Sequence, residues 1–500
     1  MGALEGGGPE TTAGQTDGER RLQAKDARRG EGLPVLGGDR GLSTTPYTGR
    51  LGFYSDDWDF LAILANAEDG SLPGLVAAQI ELGTNLHMRP TQIVYQAVLH
   101  RLFGMHPLGY HLVNTAVLVA VALLLYRVLR GVGTPLFAVA VPAIYILAPN
   151  AATNRFWFAA FGYSLSIALY LVSLHADLRA ATAGGRGRWR WKLLGVGALV
   201  AAGLGYEAVL PLVALNVVLA ELAVREMGTG GLRGRMTVTG TVAFHGSTLA
   251  AVAGVVTYKA AVASGLGLGS PVFEYTIRLV SGALATNFGT YGAAFLHTVA
   301  WALPHAGAGG VVASLIVAIS TYWYLGALAE TSLPAPAYRG GGVASPALLG
   351  VGGLTVFVLG YAIFFTTGRI GFSSTGIANR VSAVAAVGAA MAIVALIGMV
   401  AGWVSSTAIR ERLFRATVAA VCAAGVLVTN GLASFWMASW NRQQGVLAHS
   451  RRTTRLGARV DRAAAGSLPL RGTGGCLRVE LGPAGSVAGP NGGIFPSGAT

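Results

Sequence analysis

Of the 500 residues, 53% are hydrophobic and only 12% are charged, and the mean hydropathy is +0.56, which together exclude an ordinary soluble globular domain. The net charge of +14 comes from arginines clustered between apolar blocks, the pattern of loops retained in the cytoplasm, so it speaks for topology and against nucleic acid. The two cysteines, Cys422 in an apolar block and Cys476 in the tail, offer neither a disulfide framework nor a thiolate metal site.

Residues 1–50 hold twelve glycines, seven acids and seven bases with hardly an apolar run, and are expected to be disordered; no signal peptide is visible. Gly52 to Asp59 (Gly-Phe-Tyr-Ser-Asp-Asp-Trp-Asp) then sets three carboxylates among aromatic rings. Six of the 22 acids fall between Asp56 and Glu81, and only Asp177, Glu207, Glu221, Glu226, Glu274, Glu330 and Glu411 lie between there and Asp461, so places for acid-base chemistry are few. Thr91 to Phe103 repeats apolar residues at helical spacing but is too short to span, which suits an interfacial helix.

The apolar blocks that follow run roughly 15 to 25 residues, the length that crosses a bilayer as helix, and predict an all-α, multi-pass bundle. Ten spans are expected, at about 108–130, 134–149, 156–176, 193–205, 207–223, 238–262, 309–329, 345–366, 380–403 and 414–437. Gly203, Gly205 and Pro211 make 193–223 a broken hairpin. Arginine clusters at Arg127 and Arg130, Arg179 to Lys192, Arg225 to Arg235, Arg339 and Arg410 to Arg415 fall on alternate connections, which the positive-inside rule assigns to the cytoplasm. The opposite connections, including Gly52–Pro107, Pro149–Arg155, the turn at Tyr206-Glu207 and the loop Thr367–Asn379, then face outward. Residues 284–303 are read as an amphipathic helix on the outer surface. The domain reading is a disordered segment 1–50, a membrane domain 51–438, and a small, loosely folded outer tail 439–500. No adequate span precedes Asp56, so its outward placement leads us to expect an atypical or misassigned start.

Several outer residues carry candidate chemistry. Asp56 and Asp57 read either as helix caps or as a general base with a neighbour that raises its pKa or orients an acceptor or a metal. Arg89 can fork onto a phosphate, while His111 and Asn114, in His-Pro-Leu-Gly-Tyr-His-Leu-Val-Asn (106–114), serve equally as interface anchors. Arg155, within Asn-Arg-Phe-Trp-Phe, is a snorkelling cation or a second phosphate contact. Glu207 lies among apolar residues, where a carboxylate needs a partner, so it is a salt bridge or a substrate contact. Arg369 and Arg380 bracket a polar loop suited to an anion. The histidines lack a ligand spacing, so no zinc site is expected; a divalent cation stays possible.

Asp-Asp-Trp, then Met-Arg-Pro-Thr, then Leu-Phe-Gly-Met-His-Pro-Leu-Gly-Tyr-His-Leu-Val-Asn with Leu-Leu-Leu-Tyr-Arg-Val-Leu-Arg, the aromatic Arg155 segment and Gly-Tyr-Glu-Ala-Val-Leu-Pro resemble the GT-C superfamily of membrane glycosyltransferases. The resemblance covers roughly residues 52–223 and continues faintly through Ala378-Asn-Arg380, and is nearest to bacterial relatives of the protein O-mannosyltransferases and of the transmembrane O-mannosyltransferases with tetratricopeptide repeats. It implies a GT-C-like bundle in a bacterial cytoplasmic (inner) membrane with its active site outside. It further implies a polyprenyl-phosphate-linked sugar donor, a glycan, lipid or protein acceptor, and inversion at the anomeric carbon. Asp56 or Asp57 would be the catalytic acid, and Arg89, Arg155 and Arg380 would lie near the donor phosphate. The chain departs from those relatives in having no repeat domain after its last span and no tyrosine-rich continuation after Arg380. A secondary transporter or flippase, and an inactive relative or scaffold, are the competing classes; no internal repeat supports the transporter.

Overall fold

The computed structural model describes residues 47–83, 86–228, 238–262, 272–331, 345–366 and 377–466; it divides into two compact units, Met1–Arg442 and Gln443–Thr500. Among the described residues every regular element is a helix. In chain order these are α1 (Asp57–Ala65), α2 (Leu72–Leu82), α3 (Pro90–Phe103), α4 (Pro107–Val132), α5 (Pro135–Leu147), α6 (Thr153–Phe156), α7 (Phe161–Thr182), α8 (Gly185–Gly205), α9 (Val213–Gly228) and α10 (Val238–Val262). After them come α11 (Val272–Leu284), α12 (Phe295–Thr331), α13 (Pro346–Ala362), α14 (Ala385–Gly402) and α15 (Thr407–Gly466).

Local chemistry sets many of the helix starts. Thr134 caps α5 by accepting from the Phe137 amide at 3.3 Å, and Ser345 caps α13 by accepting from Leu348 at 3.2 Å. In both, the next residue is proline, whose fixed φ and missing N–H suit the first helical position. Ser71 does the same for α2, accepting from Gly74 with Pro73 in the first turn.

Among the described residues, six helical stretches are long and apolar enough to cross a membrane: Pro107–Gly131, Phe158–Thr182, Thr241–Val262, Phe295–Ala329, Ala385–Gly402 and Thr407–Ser450. The expectation of ten spans is corrected accordingly. The blocks at 134–149 and 345–366 form the shorter apolar helices α5 and α13. The hairpin at 193–223 is α8 and α9 joined by a 3-10 turn, Glu207–Leu212, where Pro211 removes a helical amide. Residues 284–303 form a π-helical stretch and a first helical segment that the non-helical Gly307 divides from the helix after it, and the π turns are the departure from the single regular helix expected there. The π-helical stretch, Ala285–Ala293, leads into α12, which consists of two helical segments joined at Gly307, whose backbone (φ 65°) is non-helical just after Pro304.

Two boundaries also move. Tyr47, assigned to the disordered segment, is buried against Phe156 with ring centroids 5.5 Å apart, because an aromatic ring and Leu51 fill the cluster around Ala152 and Leu432. α15 does not stop near Met437 but continues to Gly466 through a stretch rich in Arg and Ala, both good helix formers. The earlier part of the N-terminal segment and the tail beyond Gly466 lie outside the described residues.

The main core joins α4, α5, α7, α13 and α14 through residues such as Val121, Leu125, Val139, Ile144, Ile167, Leu171, Val356, Val387 and Val394. α13 and α14 approach through glycine: a Cβ at Gly353 would stand 2.8 Å from the Gly388 carbonyl, and one at Gly360 would stand 2.6 Å from the Ala385 amide. Such small-residue contacts are how helices pair where lipid supplies no hydrophobic drive. α10 buries few apolar groups, chiefly Phe244 and Val255, and is tied to the bundle by polar contacts. His245 meets Glu221 at 2.8 Å, and Thr248 accepts from Lys192, whose ammonium also donates to Asp177 at 2.8 Å. Asn216 completes this buried network by donating to Asp177 at 2.9 Å.

Candidate functional site

The segment after α5 abandons regular helix. Pro149–Ala151, α6 and Phe158–Ala160 are short turns separated by Trp157, whose backbone is extended (φ −111°, ψ 117°). Irregular backbone inside a membrane bundle is tolerated only where protein groups take up its freed amides and carbonyls. Here they do. Asn114 of α4 donates to the Asn154 carbonyl at 2.9 Å, and Arg155 turns back to the Ala148 carbonyl at 3.0 Å and to Thr429 of α15 at 2.8 Å. Ala159 is held at both its polar groups: its amide donates to Asp57 Oδ1 at 2.7 Å, and its carbonyl accepts from Gln92 of α3 at 3.3 Å.

This segment anchors the loop that carries the paired acids. Trp157 donates its indole N–H to the Tyr54 carbonyl at 2.9 Å, and His111 Nε2 donates to the Gly52 carbonyl at 3.1 Å. Phe53 packs edge-on to Tyr110, with centroids 5.1 Å apart. The Gly52–Asp57 loop therefore rests on the mouth of α4. From α15, Trp440 stacks on Trp58 (6.1 Å, 22°) and Trp436 meets Tyr54 edge-on (4.7 Å). Gly52 leaves the room Trp440 needs, since a Cβ there would overlap the indole.

The two acids part ways. Asp57 is fully buried, with Oδ2 accepting from the Tyr54 amide at 2.8 Å and Oδ1 from Ala159. Burial pushes its carboxyl well above the usual carboxylate range, and the amides of Tyr54, Ala159 and Phe158 draw it part of the way back. Asp56 is exposed and accepts only the Ser55 hydroxyl, at 2.8 Å. Ser55 itself sits at φ 50°, a left-handed conformation that a non-glycine residue adopts at some cost and that collects at functional sites.

A second group forms where α3, α8 and α10 end. Arg89, at the N-terminus of α3, reaches Glu207 Oε1 at 3.2 Å and lies over the Tyr206 ring at 4.1 Å. Lys259 of α10 takes the other oxygen, Oε2, at 2.8 Å. Tyr206 is stacked on Tyr163 with centroids 3.7 Å apart. Tyr258, beside Lys259, donates to the His87 carbonyl at 2.8 Å and so ties the end of α10 to the chain just before Arg89.

Arg380 links the two groups. Its guanidinium lies 4.9 Å from the centroid of Trp157, the residue bonded to the acid loop, and among the described residues it pairs with no carboxylate. Tyr163 lies within electrostatic range of Arg89, Arg380 and Glu207 together. Of the residues singled out from sequence, Asp56, Asp57, Arg89, Glu207 and Arg380 thus belong to one connected region, while His111, Asn114 and Arg155 bond to backbone or to Thr429 and brace it. Arg369 lies outside the described residues. Among the described residues no three His, Cys, Asp or Glu side chains gather as a metal cluster.

Sequence reasoning passed over Lys259, Tyr163, Trp157 and the tryptophans of α15. Lys259 had a signal: it is the only lysine or arginine in Val238–Val262, and a lone cation in an apolar helix marks a site by default. Trp157 and Trp440 carried none beyond aromaticity.

No family model, curated protein or solved structure matches the chain. Among the described residues every regular element is a helix, and six helices are suited to a membrane by length and composition. The polar groups of the candidate site gather at the N-terminal ends of α4 and α7 and the C-terminal ends of α5, α8 and α10, apart from the Lys192–Asp177–Asn216 network at the other ends of α7 and α8.

Proposed function

We propose that this chain is a membrane glycosyltransferase of GT-C type that moves a sugar from a polyprenyl-phosphate-linked donor to an acceptor outside the cytoplasm, with inversion. What supports the reading is that an exposed carboxylate and a guanidinium that meets no carboxylate among the described residues are tied to the same indole, that of Trp157. Asp56 lies two residues beyond Tyr54, a chain reach of at most about 7 Å, and the Tyr54 carbonyl is bonded to the indole on which Arg380 rests.

In this mechanism Asp56 accepts the proton of the acceptor hydroxyl as its oxygen attacks the anomeric carbon. The bond from that carbon to the phosphate oxygen breaks, and its electron pair leaves with the phosphate. Arg380 and Arg89 receive the charge that develops there, and fixed cations at a site partly shielded from water stabilise it without reorganisation. Asp57 holds the loop in position from below. His111, Asn114 and Arg155 keep the Pro149–Ala160 segment in the shape that presents Trp157.

The test is transfer of labelled sugar from polyprenyl-phosphate donors to membrane acceptors by purified protein in nanodiscs. Asp56→Asn is expected to lose activity by about a hundred- to ten-thousandfold, the usual cost of removing a general base. Full transfer by Asp56→Asn would refute the role of this acid. Solute uptake by wild-type protein in sealed vesicles, without transfer, would replace the enzyme with the transporter.

A further inference from the structure

The Arg89–Glu207–Lys259 cluster is built like an occupied anion site whose present anion belongs to the protein. Two cations share one carboxylate, with Glu207 Oε1 at 3.2 Å from Arg89 and Oε2 at 2.8 Å from Lys259, leaving an excess of one positive charge. The pairing is incomplete. Arg89 uses only Nη2 on Glu207, and its Nε–H is buried without a hydrogen-bond partner. A guanidinium is made to bind two oxygens at once, and an orphaned buried donor is rare enough to need a reason. Tyr206, under the guanidinium at 4.1 Å, fixes its plane, so that the fork presents both N–H groups in a set direction.

The three charged side chains keep between 13% and 28% of their surface, so the cluster is reachable. Arg380, which together with Arg89 and Glu207 acts electrostatically on Tyr163, adds a further positive charge to the region. With Glu207 displaced, Arg89, Lys259 and Arg380 present three positive charges, which a phosphate monoester leaving group of about −1.5 to −2 charges at neutral pH meets more fully than a diester bearing a single charge. Binding that grows as the diester becomes the monoester favours the transition state over the bound donor.

We propose that Lys259 is a positioning residue for a lipid-linked phosphate, and that Glu207 is its resident counter-ion, displaced when the phosphate enters and takes both Lys259 and the Arg89 fork. The proposal rests on the glycosyltransferase reading for the identity of the lipid. It adds the cation from α10 and an exchange of anions.

The test is a binding titration of undecaprenyl phosphate into wild-type protein held in phosphatidylcholine nanodiscs, followed by tryptophan fluorescence. Lys259→Met is expected to weaken binding by about ten- to hundredfold, as loss of a charge-assisted contact does, and Lys259→Arg to restore most of it. Glu207→Gln removes the competing anion and is expected to tighten binding severalfold. Binding by Lys259→Met within twofold of wild type overturns the proposal, as does weaker binding by Glu207→Gln, which would make the carboxylate a structural clamp. Should Lys259→Met fail to fold, Glu207→Gln alone decides. Inorganic phosphate at millimolar concentration is expected not to displace the lipid; displacement would assign the site to a soluble anion and overturn the lipid assignment. Sugar transfer is scored separately with Asp56→Asn. Lys259-dependent binding without transfer would leave this site standing and remove the enzymatic reading, and transfer without Lys259-dependent binding would do the reverse.

Discussion

Asp56 and Asp57 are adjacent in the chain and opposite in environment: Asp57 is sealed inside, bonded to the amides of Tyr54 and Ala159 at 2.8 and 2.7 Å, while Asp56 faces outward with only the Ser55 hydroxyl on it. A carboxylate that binds two protein amides has little left for a substrate. An exposed neighbour fixed by that clamp has both freedom and position.

The two acids should therefore fail in different ways. In Asp57→Asn one carboxylate oxygen becomes an amide nitrogen that cannot accept, so one buried N–H loses its partner at a cost of about 1–3 kcal/mol. Thermal unfolding in nanodiscs is expected to show that loss for Asp57→Asn and no shift for Asp56→Asn, whose deficit appears only in transfer. Equal destabilisation by both would mean that the loop does not separate them.

Arg380 and Trp157 supply a second separation. Arg380→Gln removes an interaction worth about 0.5–1 kcal/mol at a partly exposed site, so the melting temperature should barely move while transfer falls at least about tenfold. Trp157→Phe keeps a ring but removes one of the two hydrogen bonds on the Tyr54 carbonyl, which still accepts from the Asp57 amide at 3.0 Å, and is expected to destabilise by about 0.5–1.5 kcal/mol. A stable Trp157→Phe protein would show that the acid loop is held by the Asp57 amides alone.

Much of the helical frame is legible in the sequence because its signals are local: Pro90, Pro107, Pro135 and Ser345-Pro346 mark helix starts, and Pro304 with Gly307 marks the kink in α12. The site is legible only as a set of polar residues on one inferred side. What each one does depends on partners far along the chain, as with Asn150 and Asn287, joined at 2.7 Å across 137 positions, or Lys259 and Glu207. Asp57 illustrates the difficulty: nothing in Ser-Asp-Asp-Trp tells which acid turns inward, because the amide that claims it belongs to Ala159. α5, expected as a span at 134–149, shows a limit of the length criterion. Its 13 residues look too short to span, but the length criterion assumes lipid on all sides, and every residue from Phe137 to Leu147 is buried in protein.

The glycine contact between α13 and α14 makes a stability prediction independent of the chemistry. At Gly388 an added Cβ would run into the backbone of α13 at Phe357 and Gly353, so the helices must separate; Gly388→Ala is expected to cost about 1–3 kcal/mol, as overpacking does. On the same helix Gly402 has nothing within 4 Å, and Gly402→Ala should be neutral or stabilise slightly through helix propensity. The pair, measured by unfolding in one detergent, checks the contact, and equal effects would argue against it.

α5 also decides the topology. Between Gly70, in the loop after the paired acids, and Gly184, in the turn before the α8 arginines, the chain runs through α4, α5 and α7. If all three cross, the two glycines face opposite sides; if α5 does not, they share one. Thirteen residues of helix rise only about 20 Å, short of the roughly 30 Å hydrocarbon thickness, but the Pro149–Ala160 turns continue the path inside protein, where no lipid must be crossed. The arginines at 179, 186, 188 and 190 favour the cytoplasm for Gly184. With Cys422 and Cys476 replaced, Gly70→Cys should react with a membrane-impermeant maleimide in intact cells, and Gly184→Cys only after permeabilisation. Both positions are suited to the probe, since a Cβ at either meets nothing within 4 Å. Reaction of both cysteines in intact cells would put the arginine cluster outside, and protection of both would turn Asp56 to the cytoplasm. Only protection of Gly70→Cys would end the proposal that the acid faces an outer acceptor; reaction of both would instead remove α5 from the helices that cross.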